Sequence, residues 1–549
     1  MSLQAQRTPT SRARLLDELA AIVGTDAVLH EREELLVYAS DGSSMHAAQP
    51  AAVVLPSNTE QVQAVVLTCR RHGQPFVARG AGTGLSGGAL ALGKSVLRDA
   101  ATPSAPHASA SGPGQHDAPT QPAHDAPTQP AHHAPTQPAH HAPTQPAHHA
   151  PTQPAHDAAP DGGVIIGLNR MNRILSLEPE DRLARCEPGV ANLAVSAAAA
   201  AHGLYYAPDP SSQSVCTLGG NVAHNSGGPH TLTHGVTVNH VRGLELITPE
   251  GERVQIGGAE RPGYDLTALL VGSEGTLGIV TRVDVNLVRL PESVRTALVA
   301  FPEVETACGA VSALIAAGIV PAALELLDAQ VVEALSAAFG FEFPPGAGAL
   351  LLLEMDGPEP GMDADFDQAT ALCREHGALQ LTLAVDPTER AAVWRARKLA
   401  FGALGRICAN YYTQDGVIPR SLLPQMLAHV RGVAERYGLR IANVFHAGDG
   451  NLHPCILFDH DDEETRRRAV RAGGEILRRC VELGGSLTGE HGVGVEKREW
   501  MGLLFDPDDL AAMARLRAAF DPEGLCNPGK LLPLGQGCGE ARQRAGRSS

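Results

Sequence analysis

The sequence predicts an α+β chain of two or three domains. Three observations carry that expectation. The chain has 549 residues, more than one hydrophobic core usually organises. Up to about residue 290 it mixes strands, helices and glycine-rich turns, and from about Pro291 the texture changes. The second half alternates short strands with amphipathic helices, a pattern that suits an antiparallel sheet covered by helices on one face, ferredoxin-like in character.

Taken in order, RARLLDELAAI (12–22) has helical periodicity, and a second short helix is expected at 31–38. In AAVVLPSNTEQVQAVVLTCRRHGQPFVARG an apolar VVL strand precedes a helix that starts at Asn58-Thr59-Glu60. A Pro75-led strand, PFVAR, follows. The loop GAGTGLSGG (80–88) comes next. Glycine at that density lets a backbone approach a ligand closely and offers successive N–H groups to phosphate. Gly82 to Gly87 matches GxGxxG, but ALALGKSVL and then a low-complexity tract follow, where a Rossmann unit needs a helix and a later acid. A different pyrophosphate loop is the better reading.

Between His116 and Ala155, HDAPTQPA or HHAPTQPA is repeated in five tandem copies. Proline at this density sustains neither helix nor sheet, and nothing apolar is available to bury. A disordered, partly polyproline-II insertion over 98–162 is expected, and closing a loop of that length costs little extra entropy. Strands resume at GGVIIGL, a helix is expected at 191–202, and TLGGNVAHNSGG (217–228) brings small residues and two Asn to a second turn. HVRGLELITPEGERVQI (240–256) reads as a hairpin, and GYDLTALLVGSEGTLGIVTRVDVNLV (263–288) as helix, glycine-rich turn and strand. Three glycine-rich turns in one region suggest a large cofactor.

FHAGDGNLHPCILF and, about 35 residues on, SLTGEHGVGVEKR are the chemical centre of the second half. His446 and His453 flank a Gly-Asp-Gly-Asn turn between the apolar runs IANVF and CILF, as a hairpin would. With Glu490 they make a possible metal set, and His491 is a neighbouring imidazole. Two His and a carboxylate with an open position suit a divalent ion that polarises a substrate oxygen. On spacing alone, two His at the mouth of an ordinary hairpin is the plainer reading, since this is no helical HExxH pattern.

Composition excludes other classes. The net charge of −17 argues against nucleic acid and against a basic membrane patch. The start has no apolar signal region, and no run of about 18 apolar residues exists, so a cytoplasmic chain is expected. The 10 Cys are scattered without a CxxC pair, which suits reduced thiols and no iron–sulfur cluster of the chain's own.

RGAGTGLSGGA, YYAPDPSSQ, LGGNVAHNSGGPH, GYDLTALLVGSEGTLGIVT, VFHAGDGNLHP, GEHGVGVEKR and CNPGKLLP occur together and in this order. In this the chain resembles the FAD-dependent D-2-hydroxy acid dehydrogenases of the vanillyl-alcohol-oxidase-like superfamily, most of all their glycolate-oxidising branch. The likeness spans about residues 30–97 and 163–533. It implies a two-subdomain FAD-binding fold of the p-cresol methylhydroxylase type plus the ferredoxin-like cap. The expected divisions are an N-terminal helical segment (1–50), the FAD-binding domain (51–290), the cap (291–500), a segment packing back on the FAD domain (501–535) and a disordered tail (536–549).

The resemblance also implies site residues. Arg79, Gly80, Gly82, Thr83, Gly84, Ser86 and Gly87 would form the pyrophosphate loop. Pro208, Asp209, Ser211, Gly220, Asn221, Asn225, Gly227, Glu274, Gly278 and Ile279 match flavin-lining stretches, and Asn527 would reach back from the tail. His446, His453 and Glu490 match a metal site, with zinc the expected ion, His491 the catalytic base and Arg397 the arginine for the substrate carboxylate. No His stands at an obvious linkage position in the first loop, so FAD is expected to be non-covalent. Phe401, Thr413 and Cys455 replace the Thr, Lys and Asn of the D-2-hydroxyglutarate enzymes, which favours glycolate or D-lactate over a dicarboxylate. Electrons are expected to pass to an iron–sulfur partner subunit, a quinone or another redox protein, with partners at the inner membrane face. A D-2-hydroxyglutarate-type dehydrogenase is the alternative reading, with a flavin-binding subunit without turnover and a metal-dependent hydrolase as further rivals.

Overall fold

The computed structural model describes residues 11–43, 45–93, 95–96, 162–258 and 264–534. The five repeats and the expected tail fall outside the described residues. Strands β1 (Val28–Leu29), β2 (Ala52–Val54), β3 (Phe76–Arg79) and β4 (Val164–Gly167) form a sheet in the order β1-β2-β4-β3, parallel except at β1. Parallel strands need cover on both faces. Helices Ser11–Val23 and Thr59–Arg71 bring Leu15, Leu19, Val62, Val65 and Val66 against Ala52, Val54, Val164 and Ile166. Leu35, Leu55 and Ala91 cover Val53, Val77 and Ile165 on the other face. Asn58 caps helix Thr59–Arg71 by accepting the Gln61 N–H, a contact typically worth about 1 kcal/mol. The glycine-rich loop 80–88 therefore leaves the carboxyl end of a parallel strand, where α/β sheets place their ligands.

The next strands are β5 (Ile174–Glu178), β6 (Leu183–Cys186), β7 (Leu204–Tyr205), β8 (Val241–Ile247), β9 (Arg253–Gly257), β10 (Ile279–Asn286) and β11 (Val288–Arg289). An antiparallel sheet runs β5-β6-β10-β8-β9, and β7 pairs with β11. The expected hairpin is β8–β9. Burial alternates along β10, as one covered face requires.

The second half holds β12 (Ser293–Phe301), β13 (Ala323–Asp328), β14 (Ala349–Gly357), β15 (Gln380–Ala384), β16 (Asn410–Thr413), β17 (Gly416–Val417), β18 (Arg440–His446), β19 (Asn451–Leu452) and β20 (Pro454–Phe458). The antiparallel order is β15-β12-β14-β13-β18-β19-β17, with β20 paired to β18 and β16. Helices cover both faces of this sheet, where the sequence suggests one. Ala297, Val299, Phe301 and Leu351 pack under helices Val304–Ala316, Met362–Glu375, Leu423–Tyr437 and Glu463–Glu482. Ala300, Leu350 and Val444 pack against Ala329–Phe339 and Pro387–Ile407. The cause is visible in β14, whose ALLLL run is apolar on both faces and leaves neither one for water.

After helix Pro507–Phe520 the chain returns to the first sheet. The Phe76 N–H donates to the Leu525 carbonyl, and the Asn527 N–H donates to that of Phe76. A buried polar network then ties the halves together. His230 Nδ1 lies 2.6 Å from Asp209 and its Nε2 3.2 Å from Glu354. Glu354 also accepts from Arg390, the Trp394 indole N–H and the Thr296 hydroxyl. Burial opposes a charge on His230, but Asp209 and Glu354 outweigh it and raise its pKa from 6.5 to about 10.

A raised folded pKa gives stability that is complete below pH 6.5 and lost as pH rises through 10. Thermal denaturation of wild type and His230→Leu from pH 6 to 10.5 measures this. The difference, of the order of a few kcal/mol at pH 6, should shrink steadily toward pH 10.5.

Candidate active site

Antiparallel register sets the first part of the site. β13 and β18 place Glu325 directly opposite His446 at the end of β18. Both are buried, and His446 Nδ1 lies 2.5 Å from the Glu325 carboxylate. Its Nε2 is thereby aimed at Glu490, at 3.2 Å. The chain turns at 447–450 and returns as β19 and β20, with His453 between them. Gly450 is required in that turn: it has φ +81°, and a Cβ would fall 2.1 Å from the Ile418 carbonyl oxygen.

Asp415, fully buried after β16, organises the third segment. Its carboxylate accepts the N–H groups of Glu490 and His491 and the hydroxyl of Thr488, and it pairs with the buried Lys497 ammonium at 3.2 Å. His453 Nε2 is 3.4 Å from Glu490 and 3.6 Å from Asp415. The rings of His453 and His491 stack 4.8 Å apart, and those of His446 and His453 meet edge-on at 5.0 Å. One ligand atom from each of His446, His453 and Glu490 lies within 4.8 Å of the others, as does one from each of Asp415, His453 and His491. His453 Nε2 and His491 Nδ1 are buried without a hydrogen bond. A donor set of imidazoles and carboxylate with an unused buried nitrogen fits a divalent ion.

The electrostatics follow from burial and these neighbours. Burial works against charge on His446, yet Glu325 and Glu490 push its pKa well above 6.5. Burial would raise Glu490, but His446 and the other imidazoles bring it down to about 2. Burial dominates at His491 and lowers it to about 4, so the ring is neutral at pH 7.

A cavity of about 430 Å³ joins this cluster to the glycine-rich loops. Arg79, Gly80, Gly82, Thr83, Gly84, Ser211, Gly220, Asn221 and Glu274 line it, with His453, Glu490 and His491 at the other side. Gly80 lies against Thr217, so that a Cβ there would come within 2.2 Å of its hydroxyl oxygen. The Gly80 backbone thus packs directly on the Thr217 side chain, and the glycine-rich stretches around it make a cradle suited to a long polar ligand. Ser86 and Gly87 sit behind the loop, and the Ser86 hydroxyl donates to the His491 carbonyl at 3.0 Å. Glu274, at φ +50°, accepts the N–H groups of Val493 and Gly494. Asn527 donates to the carbonyls of Gly88 and Glu274, pinning loop and tail together.

Other expected residues stand apart from the cavity. Ile279 opens β10 and is core, packed with Val54 and Phe76. Gly278, at φ +149°, lies against Leu246 and Ile247. The Pro208 carbonyl accepts from Asn192, Asp209 holds His230, and Asn225 accepts the Val238 N–H from a left-handed helix end. Gly227 borders Glu490, where a Cβ would come within 3.2 Å of it. Arg397 is 4% exposed and donates to Glu325 at 2.6 Å. It does not line the cavity; Phe401, over which its guanidinium lies at 5.8 Å, does, together with Lys398, Tyr411 and Thr413. Cys455 is fully buried behind Thr413, at 3.6 Å. Sequence reading missed Glu325, Asp415 and Lys497. The signal was a lone acid in the apolar ALELL run and charges in QDG and VEKR beside the His motifs.

Removing one partner of a buried pair leaves the other charge stranded, at roughly 3–5 kcal/mol. Asp415→Ala should therefore lower urea stability by about that much, and adding Lys497→Met should recover a large part of it.

Comparison with known proteins agrees with this architecture. Residues 50–99 and 150–257 match the FAD binding domain, and 290–531 match the C-terminal domain of FAD linked oxidases. The chain is 40% identical over 515 residues to glycolate oxidase subunit GlcD of Escherichia coli (strain K12), covering 93% of this chain and 90% of that protein. It is 27% identical over 495 residues to a D-lactate dehydrogenase of Anaerostipes hadrus, covering 88% and 90%. The crystal structure of p-cresol methylhydroxylase with substrate bound superposes with a TM-score of 0.67 at 17% identity, covering 96% of this chain and 98% of that one.

Proposed function

The chain belongs to the FAD-linked oxidase family, as an FAD-dependent 2-hydroxy acid dehydrogenase, and from that premise we propose that it oxidises glycolate or D-lactate to the 2-oxo acid. The observation that carries this reading is the single cavity lined both by the glycine-rich loops and by His453, Glu490 and His491. FAD, held non-covalently by the loops at 79–87 and 208–227 with Glu274 and Asn527, would supply the hydride acceptor. A divalent ion, zinc the expected one, would be held by His446, His453 and Glu490 and supply Lewis acidity at the substrate hydroxyl.

The chain's own residues do the rest. Glu325 fixes the orientation of His446, with Nε2 turned to the cluster, the usual second partner of a metal-binding imidazole. His491 accepts the hydroxyl proton at Nε2, the nitrogen on the Glu490 side, and burial keeps that ring neutral and ready. Arg397 contributes positive charge behind Phe401 and holds Glu325 in place. Phe401 and Thr413 fill the wall with groups that leave no cation for a second carboxylate at those positions, which favours a small monocarboxylate over 2-hydroxyglutarate. The electrons would leave to an iron–sulfur partner subunit or a quinone, since the described cysteines are separate, free and mostly buried. No helix among the described residues is long and apolar enough to cross a membrane, so any place at the inner membrane face would come through partners.

Anaerobic addition of glycolate or D-lactate should bleach the yellow protein, and a panel of 2-hydroxy acids ranks the substrates. A yellow chain that never bleaches supports a flavin subunit without turnover, and a colourless one supports a hydrolase. His491→Asn should slow flavin reduction by about 10²–10⁴-fold while FAD content holds. Elemental analysis should find one divalent ion per chain, lost in His446→Ala and in His453→Ala; retained metal in both would remove this assignment.

A further inference from the structure

The buried cluster contains two overlapping sets of metal donors. The first is His446, His453 and Glu490. The second is Asp415, His453 and His491, where one ligand atom from each again lies within 4.8 Å of the others. Asp415 is 0% exposed and His453 3%. Donor atoms in this second set are open. His453 Nε2 and His491 Nδ1 are buried without a hydrogen bond. Asp415 Oδ1 takes the Glu490 N–H at 3.2 Å and faces His453 Nε2 at 3.6 Å. A carboxylate oxygen and two imidazole nitrogens, buried and close together, suit a divalent ion as well as the first set does.

An ion in the second set would disable the chemistry. With a metal on Nδ1, a neutral imidazole carries its proton on Nε2, and His491 then has no lone pair left for a substrate proton. The sets share His453, so its Nε2 serves one ion in one place.

What distinguishes the two is the charge beside them. No Lys or Arg among the described residues pairs with Glu490. Asp415 Oδ2, by contrast, receives the Lys497 ammonium at 3.2 Å, together with the Thr488 hydroxyl and the His491 N–H. Lys497 is 1% exposed and also donates to the Gly492 carbonyl at 3.1 Å, so its charge is held on both sides. A doubly charged ion beside a fixed ammonium, away from water, meets strong repulsion.

We propose that Lys497 guards the second set: its ammonium keeps a divalent ion in the His446, His453 and Glu490 set and so leaves His491 free as the base. Lys497 is a positioning residue that acts through Asp415. This rests on the metal and base roles proposed above.

The test uses the flavin-loaded protein, stripped of metal by a chelator, with Co²⁺ as the probe. Binding is read from Co²⁺ absorption beyond the flavin bands. Lys497→Gln removes the charge, while its amide can still donate to Asp415 or to the Gly492 carbonyl; Lys497→Arg keeps the charge. With Lys497 in place, His446→Ala should weaken Co²⁺ binding by roughly a hundredfold or more. Lys497→Gln/His446→Ala should bind Co²⁺ again, within about tenfold of wild type, since the donor count is the same. Adding His491→Asn should abolish that regained binding, and Lys497→Arg/His446→Ala should stay as weak as His446→Ala. A merely structural Lys497 predicts no Co²⁺ binding that depends on His491. The proposal is overturned if Lys497→Gln/His446→Ala binds no better than His446→Ala, or if the regained binding survives His491→Asn. Where Lys497→Gln folds poorly, Co²⁺ in the medium should restore it, because the ion replaces the missing charge. Rescue by Asp415→Asn but not by Co²⁺ overturns the proposal. If wild type binds no Co²⁺ while Lys497→Gln binds it through His491, the guarding role stands and the metal assignment made above falls.

Discussion

The buried carboxylate of Asp415 holds the site in register. It has no water to solvate it, so its charge must be met by the protein. Lys497 supplies the counter-charge, and the Glu490 and His491 N–H groups and the Thr488 hydroxyl supply the hydrogen bonds. Those partners lie in one short loop, so satisfying one acid also fixes where Glu490 and His491 stand. Glu325 plays the matching part for His446, through a cross-strand pair that the sheet register dictates. Hence two acids outside the 430 Å³ cavity set the aim of His446, Glu490 and His491.

The same loop is also held from the flavin half. The Ser86 hydroxyl reaches the His491 carbonyl, and the Glu274 carboxylate takes the next two free N–H groups after Gly492. Gly494 has φ +54°, and a Cβ there would come within 2.0 Å of the Ser86 carbonyl oxygen, which allows only glycine at this crossing. Asn527 closes the circle by tying Glu274 to Gly88 from the returning tail. The loops that cradle a cofactor and the loop that carries His491 are therefore one hydrogen-bonded assembly.

How much of this was legible in the sequence depends on the range of the interaction. Helix Thr59–Arg71 was legible because Asn58 caps it locally, and hairpin β8–β9 because its turn lies between alternating strands. The convergence of the glycine-rich loops with His446, His453, Glu490 and His491 was legible through ordered motifs, though nothing local brings residues 80 and 491 together. Cover on both faces of the cap sheet was missed because ALLLL reads equally as strand or buried helix until its neighbours are known. Glu325, Asp415 and Lys497 were missed because a buried charge has no local signature; its partner lies 72 or more residues away. Ile279 was placed at the flavin by resemblance to a flavin-lining stretch, yet strand alternation turns its side chain into the core.

Charge accounting then bears on what the cluster could hold. Glu325 is matched by Arg397, and Asp415 by Lys497. Glu490 is matched by no Lys or Arg among the described residues; its neighbours within ion-pair distance are the imidazoles of His446, His453 and His491. A protein that needed only to neutralise a buried acid would do so with one Lys, as it does 82 residues on from Asp415. Three imidazoles around one carboxylate are a costly neutralising set, because burial opposes charge on His446 and on His491, and a good donor set once deprotonated, because each then offers a lone pair. The unused nitrogen of His453 is aimed into the same space. We read that choice of residues as the donor set for the divalent ion proposed above, at the end of the cavity that the glycine-rich loops line.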